Sequence, residues 1–490
     1  MIKNKRQYRI SKARAQEFAE TMAALEAESP EEAGLHPLIL KARRDAVRSQ
    51  HEELVEQLRV YEALAAGETP VLELDSLAEL PQALIKARIA SGLSQSELAE
   101  RIGLKPQQIQ RYEATDYSAA SLERIQEVAQ ALGMAIREEV LLPNKRFTLR
   151  ELWSMLGELG FSKDLVLKRL VPSWLRERVE QIRAERTTPL DEAAVASRVL
   201  AFVARTFGLS TSIFLGPRLP TLNLAAVHTA RFKTTYAAQE ERLNAYTVYA
   251  HVLALLTLEA TKHLDQEPIS QDPMVVRSQI IKQYGAITFE AVLDYVWSLG
   301  IPVLPLRDPS AFHGACWRVY GRNIIVLKQQ TSSSARWVND LLHEGKHISE
   351  DPEEDQLAVI ETSPISPDRK ESPEETRAND YAEEIIFGGR ADDLAQLCME
   401  RAGGDVPQLK RVVVEVAKEK GVNLGALANY LAFRLLTENN INWWGTAQNL
   451  QRVNFSPWQH ARDVFLTRVN FSNLNEFDRD LLLRALADDE

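Results

Sequence analysis

Between Ala83 and Ile136 the chain alternates apolar-faced segments with residues that dictate how a backbone turns, and that alternation admits few folds. Ser94 is of the type that caps a helix, because its hydroxyl accepts a hydrogen bond from an N–H that has no partner within the helix. The helix it opens carries Leu98, Ala99 and Ile102 on its inward face. Gly103 follows, and glycine enters the left-handed region without the steric cost a side chain brings. Pro106 suits the first turn of a second helix, where its missing N–H is no loss. On that helix Ile109 and Tyr112 face inward, leaving Gln107, Gln108, Gln110 and Arg111 on the outside. Two helices meeting across a tight turn satisfy all these choices together.

Glutamine and arginine make paired hydrogen bonds with base edges in a DNA major groove, so Gln107, Gln108, Gln110 and Arg111 are candidate base readers. Gln95, at the start of the preceding helix, is a candidate phosphate contact, and Lys86, Arg88, Arg101 and Lys105 offer local positive charge. The plainer alternative is a helical bundle whose polar face is only solvated. The stretch LIKARIASGLSQSELAERIGLKPQQIQRYEATDYSAASLERIQEVAQALGM resembles the Cro/CI (XRE) repressor family. The preceding MIKNKRQYRI resembles the start of antitoxin-like regulators with a helical N-terminal extension, and together the likeness covers about residues 1–142. It implies a double-stranded DNA partner, with Gln95, Gln107, Gln108 and Arg111 at the contact. It also implies a homodimer on paired half-sites. The N-terminal helices, with Leu54, Leu58 and Tyr61 at heptad-like spacing, then either pair two copies or pack onto the DNA-reading module.

A second constellation lies in WVNDLLHEGKHISE, which sets His343 and His347 four residues apart, on one face of a helix, with Glu344 beside them. Two neutral imidazoles can share one metal ion there, and a neighbouring carboxylate can take a proton from water. A third ligand is still required. Glu375, roughly 28 residues past His347, is the first choice, with Glu374 as the alternative; Asn379, one turn after Glu375, is suited to orient a histidine. The bland reading of Glu375 is an acid at a helix start.

These residues resemble the ImmA/IrrE metallopeptidases over about Ile280 to Gly388. The likeness runs through GIPVLPL, a segment ending NIIVL, the HExxH helix, and Glu375, Ala378, Asn379, Tyr381 and Ala382. The resemblance implies one Zn2+ held by His343, His347 and Glu375, with Glu344 as catalytic base. It also implies a zinc endopeptidase that cleaves a helix-turn-helix repressor, or itself, in stress, mobile-element or defence regulation. The family reads HELGH where this chain has HEGKH, with glycine at 345 and Lys346 at the usual glycine position. The competing reading is a non-catalytic transcription factor or antitoxin whose metal domain serves as sensor or scaffold. His313, His460 and Tyr381 are oxyanion donors by type only, each being more often structural.

With 490 residues the chain exceeds one ordinary core. The pattern suggests a helical extension over 1–75, a helix-turn-helix module over 82–142, a helical connecting region over 143–275, a metallopeptidase domain over 276–390 and helices over 391–490. The fold class expected is therefore multidomain and mainly α, ending in an α+β zincin-like domain followed by helices. Its short β runs are Ile301–Leu306, Cys316–Tyr320 and Asn323–Leu327, after a helix over Thr288–Leu299; Ser349–Glu375 reads as an acidic exposed loop, and Gly67–Pro81 as a hinge. A net charge of -11 excludes a chain coated in nucleic acid, so any DNA contact must be local. Only Cys316 and Cys398 are present, the basic N-terminus lacks a signal-peptide core, and no segment is apolar enough to span a membrane, which together indicate a cytoplasmic protein without a membrane partner. Cys316 reads as a buried thiol before a metal ligand, and Trp443, Trp444 and Trp458 as core before partner surface.

Overall fold

The computed structural model describes residues 1–27, 37–67, 74, 79–134, 136, 147–184, 187–209, 211–214, 237–308, 314–350, 352, 354–361, 373–451 and 455–488. The chain divides into two compact units, Met1–Val140 and Leu141–Glu490. The architecture is mainly helical with one small mixed sheet.

The first unit holds α1 (Lys5–Ala27), α2 (Pro37–Ala66), α3 (Leu80–Ala90), α4 (Gln95–Arg101), α5 (Pro106–Ala114) and α6 (Leu122–Ala131). Tyr8 of α1 stacks on Tyr61 of α2 with ring centroids 5.0 Å apart, and Leu58 is buried with Ile2 and Ala15. Further along α2, Leu64 enters the core formed by Leu84, Ile85, Leu98, Ile109 and Val128. The N-terminal helices thus pack onto the helix-turn-helix. Its turn is built as its residues require: the Ser94 hydroxyl accepts from the Glu97 N–H at 3.2 Å, and the Ser94 N–H donates to the Glu97 carboxylate at 2.7 Å. Gly103 sits at φ +67°.

A buried ion pair ties these helices together. Arg88 of α3 donates from Nε and Nη2 to the two carboxylate oxygens of Glu113 in α5, at 2.5 and 2.8 Å, and both side chains are almost wholly buried. The remaining donors of Arg88 reach the carbonyls of Leu93 at 2.7 Å and Lys3 at 2.6 Å, so the guanidinium is satisfied as burial demands. This corrects the expectation for Arg88. It is an internal tie and presents no charge to DNA.

In the second unit the strands β1 (Val303–Leu306), β2 (Gly314–Val319), β3 (Arg322–Lys328) and β4 (Gln356–Glu361) stand in the order β1-β3-β2-β4. β1 runs parallel to β3, and β2 is antiparallel to both β3 and β4. Val319 pairs with Arg322, so Tyr320 and Gly321 form a two-residue turn, both with positive φ as such hairpins need. β4 corrects the reading of Ser349–Glu375 as all loop. Gln356–Glu361 pair with β2, and the short apolar run from Leu357 to Ile360 is hidden in the sequence between acidic and serine- and proline-rich flanks. Residues 362–372 of that stretch, His313, and most of the Gly67–Pro81 hinge lie outside the described residues.

One apolar cluster joins Leu152, Leu200 and Leu253 from the preceding helices to Ile325 and Trp317 of the sheet, to Leu341 of the helix Ser334–Ser349, and to Phe465 and Leu481 near the C-terminus. Segments 143–275 and 276–390 therefore share a core. Arg169 and Tyr246 both bond to Asp308, at 2.6 and 2.8 Å, tying that helical region to the end of β1. A second cluster gathers the helices between Ala391 and Leu450 and includes Trp443, while Trp458 belongs to the first. Cys316 is buried in β2. Among the described residues no helix is long and apolar enough to cross a membrane.

Removing Glu113 strands a buried guanidinium. Glu113→Ala is expected to cost the first unit about 3–5 kcal/mol and to speed amide hydrogen exchange at Ile89, Leu98 and Ile109 in the full chain. Unchanged protection would show that the pair does not hold the unit together.

Candidate functional site

The helix Ser334–Ser349, hereafter the histidine helix, is capped by the Ser333 hydroxyl, which accepts from the Arg336 N–H at 3.2 Å. Trp337, Leu341, Leu342 and Ile348 bury one side of it. His343, Glu344 and His347 project from a neighbouring strip that is also buried, each 5% exposed or less. The helix Pro373–Phe387, the glutamate helix, packs alongside and carries Glu375 and Asn379 one turn apart.

Three donor groups converge between the two helices. Nε2 of His343 lies 3.1 Å from Nε2 of His347 and 3.3 Å from a carboxylate oxygen of Glu375, and the three donor atoms all fall within 4.8 Å of one another. A tetrahedral zinc with bonds of about 2.0–2.1 Å separates two ligating nitrogens by about 3.3 Å, so the spacing suits such an ion. Nδ1 of His343 stands 3.0 Å from the side-chain oxygen of Asn379. With Nδ1–H donating there, the Nε2 lone pair of His343 faces the cluster, the tautomer a metal ligand needs. Of the two carboxylates open to choice in the sequence, that of Glu375 joins the histidines.

Gly314 was not legible as a functional residue. It opens β2 against the Glu344 carboxylate: a Cβ at this position would overlap Oε1 and stand 3.0 Å from Cδ. Any larger residue would push that carboxylate or the strand aside. The only sequence signal was a glycine at the head of an apolar strand. Gly345 differs, since a Cβ there would meet Ile269 Cδ1 at an ordinary 3.5 Å. Lys346 directs its ammonium to Glu350, at 3.5 Å, and over the Tyr381 ring.

Of the oxyanion donors suggested by type, the Tyr381 hydroxyl is committed to the Ser270 carbonyl at 2.6 Å, with burial pushing its pKa well above the ordinary phenol value. His460 packs against the Phe289 and Phe455 rings.

In the first unit Lys105, Gln107, Gln110 and Arg111 are exposed along the first turns and outer face of α5. Gln108 is half-buried and accepts the Lys105 N–H at 3.1 Å. Gln95 is half-buried as well, and its amide donates to Glu113 at 2.7 Å. The buried Arg88–Glu113 pair thus fixes Gln95 in place, a link spanning 18 residues that no local motif displays.

The helix-turn-helix family HTH_3 matches residues 84–138, from within α3 to just beyond α6. Those residues are an XRE-type helix-turn-helix domain, whose partner class is DNA. No curated protein matches the chain, and no solved structure does.

The two glycines beside the His343, Glu344 and His347 strip should respond in opposite directions to alanine. Gly345→Ala is expected to gain about 1 kcal/mol from removing a helix-interior glycine, and Gly314→Ala to lose about 1–3 kcal/mol through overpacking. Denaturant melts of the second unit's near-UV signal check both signs; a neutral Gly314→Ala would mean that the Glu344 carboxylate is not confined by β2.

Proposed function

We propose that this chain is a DNA-binding transcriptional regulator with a zinc-dependent endopeptidase domain of the ImmA/IrrE type, which cleaves a helix-turn-helix repressor or itself. The observation that carries the catalytic part is the convergence of His343, His347 and Glu375 beside Glu344. The DNA-binding part rests on the helix-turn-helix match and the exposed face of α5.

His343, His347 and Glu375 would hold one zinc ion. When bound, such an ion supplies the Lewis acidity that makes water reactive near neutral pH and polarises a peptide carbonyl. Asn379 holds the His343 ring in register. Glu344, one residue along the histidine helix, takes the proton from the attacking water and returns it to the departing amine. Gly314 keeps open the volume that this carboxylate occupies. The helices of 143–275 and 391–490 would sense the signal, and Lys105, Gln107, Gln108, Gln110 and Arg111 would meet double-stranded DNA in the cytoplasm, in a dimer if the sites are paired.

A second reading follows from the HEGKH departure: a DNA-binding factor whose metal domain is a scaffold or sensor. Lys346 and Gly345 favour it, because the family's glycine position is filled by a long cationic side chain packed on Tyr381. The two readings part on one substitution. Glu344→Gln is expected to retain zinc and abolish cleavage of helix-turn-helix partner proteins, or of the chain itself; cleavage that survives the substitution rejects Glu344 as base. A wild-type protein that protects specific DNA but cuts none of these substrates supports the scaffold. For the DNA face, Arg111→Ala is expected to cost about 1–3 kcal/mol of specific affinity, and an unchanged value would exclude Arg111 from base reading.

A further inference from the structure

The first fourteen residues contain Lys3, Lys5, Arg6, Arg9, Lys12 and Arg14 and no acid, in a chain whose net charge is -11. This basic run is held against the helix-turn-helix. The Lys3 ammonium donates to the Glu113 carbonyl at 2.6 Å and to Asp116 at 2.8 Å, both at the end of α5, and the Lys3 carbonyl accepts from Arg88 at 2.6 Å. Buried Ile2 anchors the same segment. Lys5 then falls beside α4: the Glu97 carboxyl is held below its usual range by its hydrogen bonds to Ser94 and, more weakly, by the charges of Lys5 and Arg101.

Lys5, Arg6 and Arg9 are exposed, and among the described residues no ion pair neutralises them. Lys5 and Arg9 are four apart and share a face of α1, with Arg6 flanking it. Their position is electrostatically wrong for an isolated helix. Lys5 and Arg6 lie in the first turn, where cations oppose the positive end of the helix dipole, and α1 has no acid there to offset them. An external polyanion would remove that conflict. The start of α4, beside Lys5, is also the end expected to meet a phosphate.

We propose that Lys5, Arg6 and Arg9 form a phosphate-binding extension of the DNA interface, lying against the backbone beside the groove that α5 reads. The inference rests on the DNA-binding reading of residues 84–138 and adds sequence-independent affinity to it. Neutralising about three phosphates contributes about 0.9 each to the slope of log K against log salt, with no effect on base choice.

The test uses the full chain, a duplex selected by the protein from a random library, and a scrambled duplex of equal length, titrated by fluorescence anisotropy from 50 to 200 mM salt. The combined substitution Lys5→Gln, Arg6→Gln, Arg9→Gln is expected to make the slope shallower by about 2 to 3 on both duplexes, with their affinity ratio kept within about twofold. The charge-conserving set Lys5→Arg, Arg6→Lys, Arg9→Lys is expected to keep the wild-type slope, and circular dichroism melts verify that both sets fold. An unchanged slope in the glutamine variant overturns the extension while leaving the DNA reading intact. A collapse of the affinity ratio assigns these residues to base reading and overturns it too. Wild type that selects no duplex removes the DNA reading itself.

Discussion

Burying two imidazoles and a carboxylate in one strip of a helix is the constraint around which the second unit is organised. Polar and ionisable groups lose hydration inside a protein and must recover it through partners, through neutralisation or through a metal. The histidine helix answers by leaning its apolar side on the shared core and its polar strip on the glutamate helix and β2. Asn379 engages one ring, the opposite histidine and Glu375 close the cluster, and Gly314 clears space for Glu344. The sheet and the second helix thus act on the same few side chains. That concentration of buried chemistry is hard to explain as packing alone, because an apolar strip would have been simpler to accommodate.

The first unit follows the same logic with different chemistry. Its buried Arg88–Glu113 pair touches three things at once: the N-terminal segment through the Lys3 carbonyl, the turn after α3 through the Leu93 carbonyl, and Gln95 through the second oxygen of Glu113. A pair of this kind adds little net stability compared with apolar packing, but breaking it strands a buried charge, which confines the groups it touches to the paired geometry. Here the specified geometry includes the residues that open α4 and the last turn of α5, the two elements that approach DNA in this domain type.

Legibility in the sequence tracked the distance over which each interaction acts. The Ser94 cap, the Gly103 turn and the i, i+4 histidines are local, and local spacing determines them. Choosing between Glu374 and Glu375 required the rotational phase of a helix placed by tertiary packing. Arg88 looked like a surface cation because its partner lies 25 residues away. Gln95 looked free for the same reason. β4 was obscured by its acidic, serine- and proline-rich surroundings, since its apolar run covers only Leu357 to Ile360 and so short a run without alternation is ambiguous between flanks that read as loop. Gly314 acts entirely through a side chain thirty positions later and had no motif to announce it.

The proposed chemistry of the second unit requires one divalent ion held by His343, His347 and Glu375. Elemental analysis of the purified full chain after zinc loading and exhaustive dialysis measures this directly. The expected result is about one zinc per chain, falling to a small fraction in a folded His347→Ala variant. Absence of tightly bound zinc from the wild type, or equal zinc in both proteins, would contradict it.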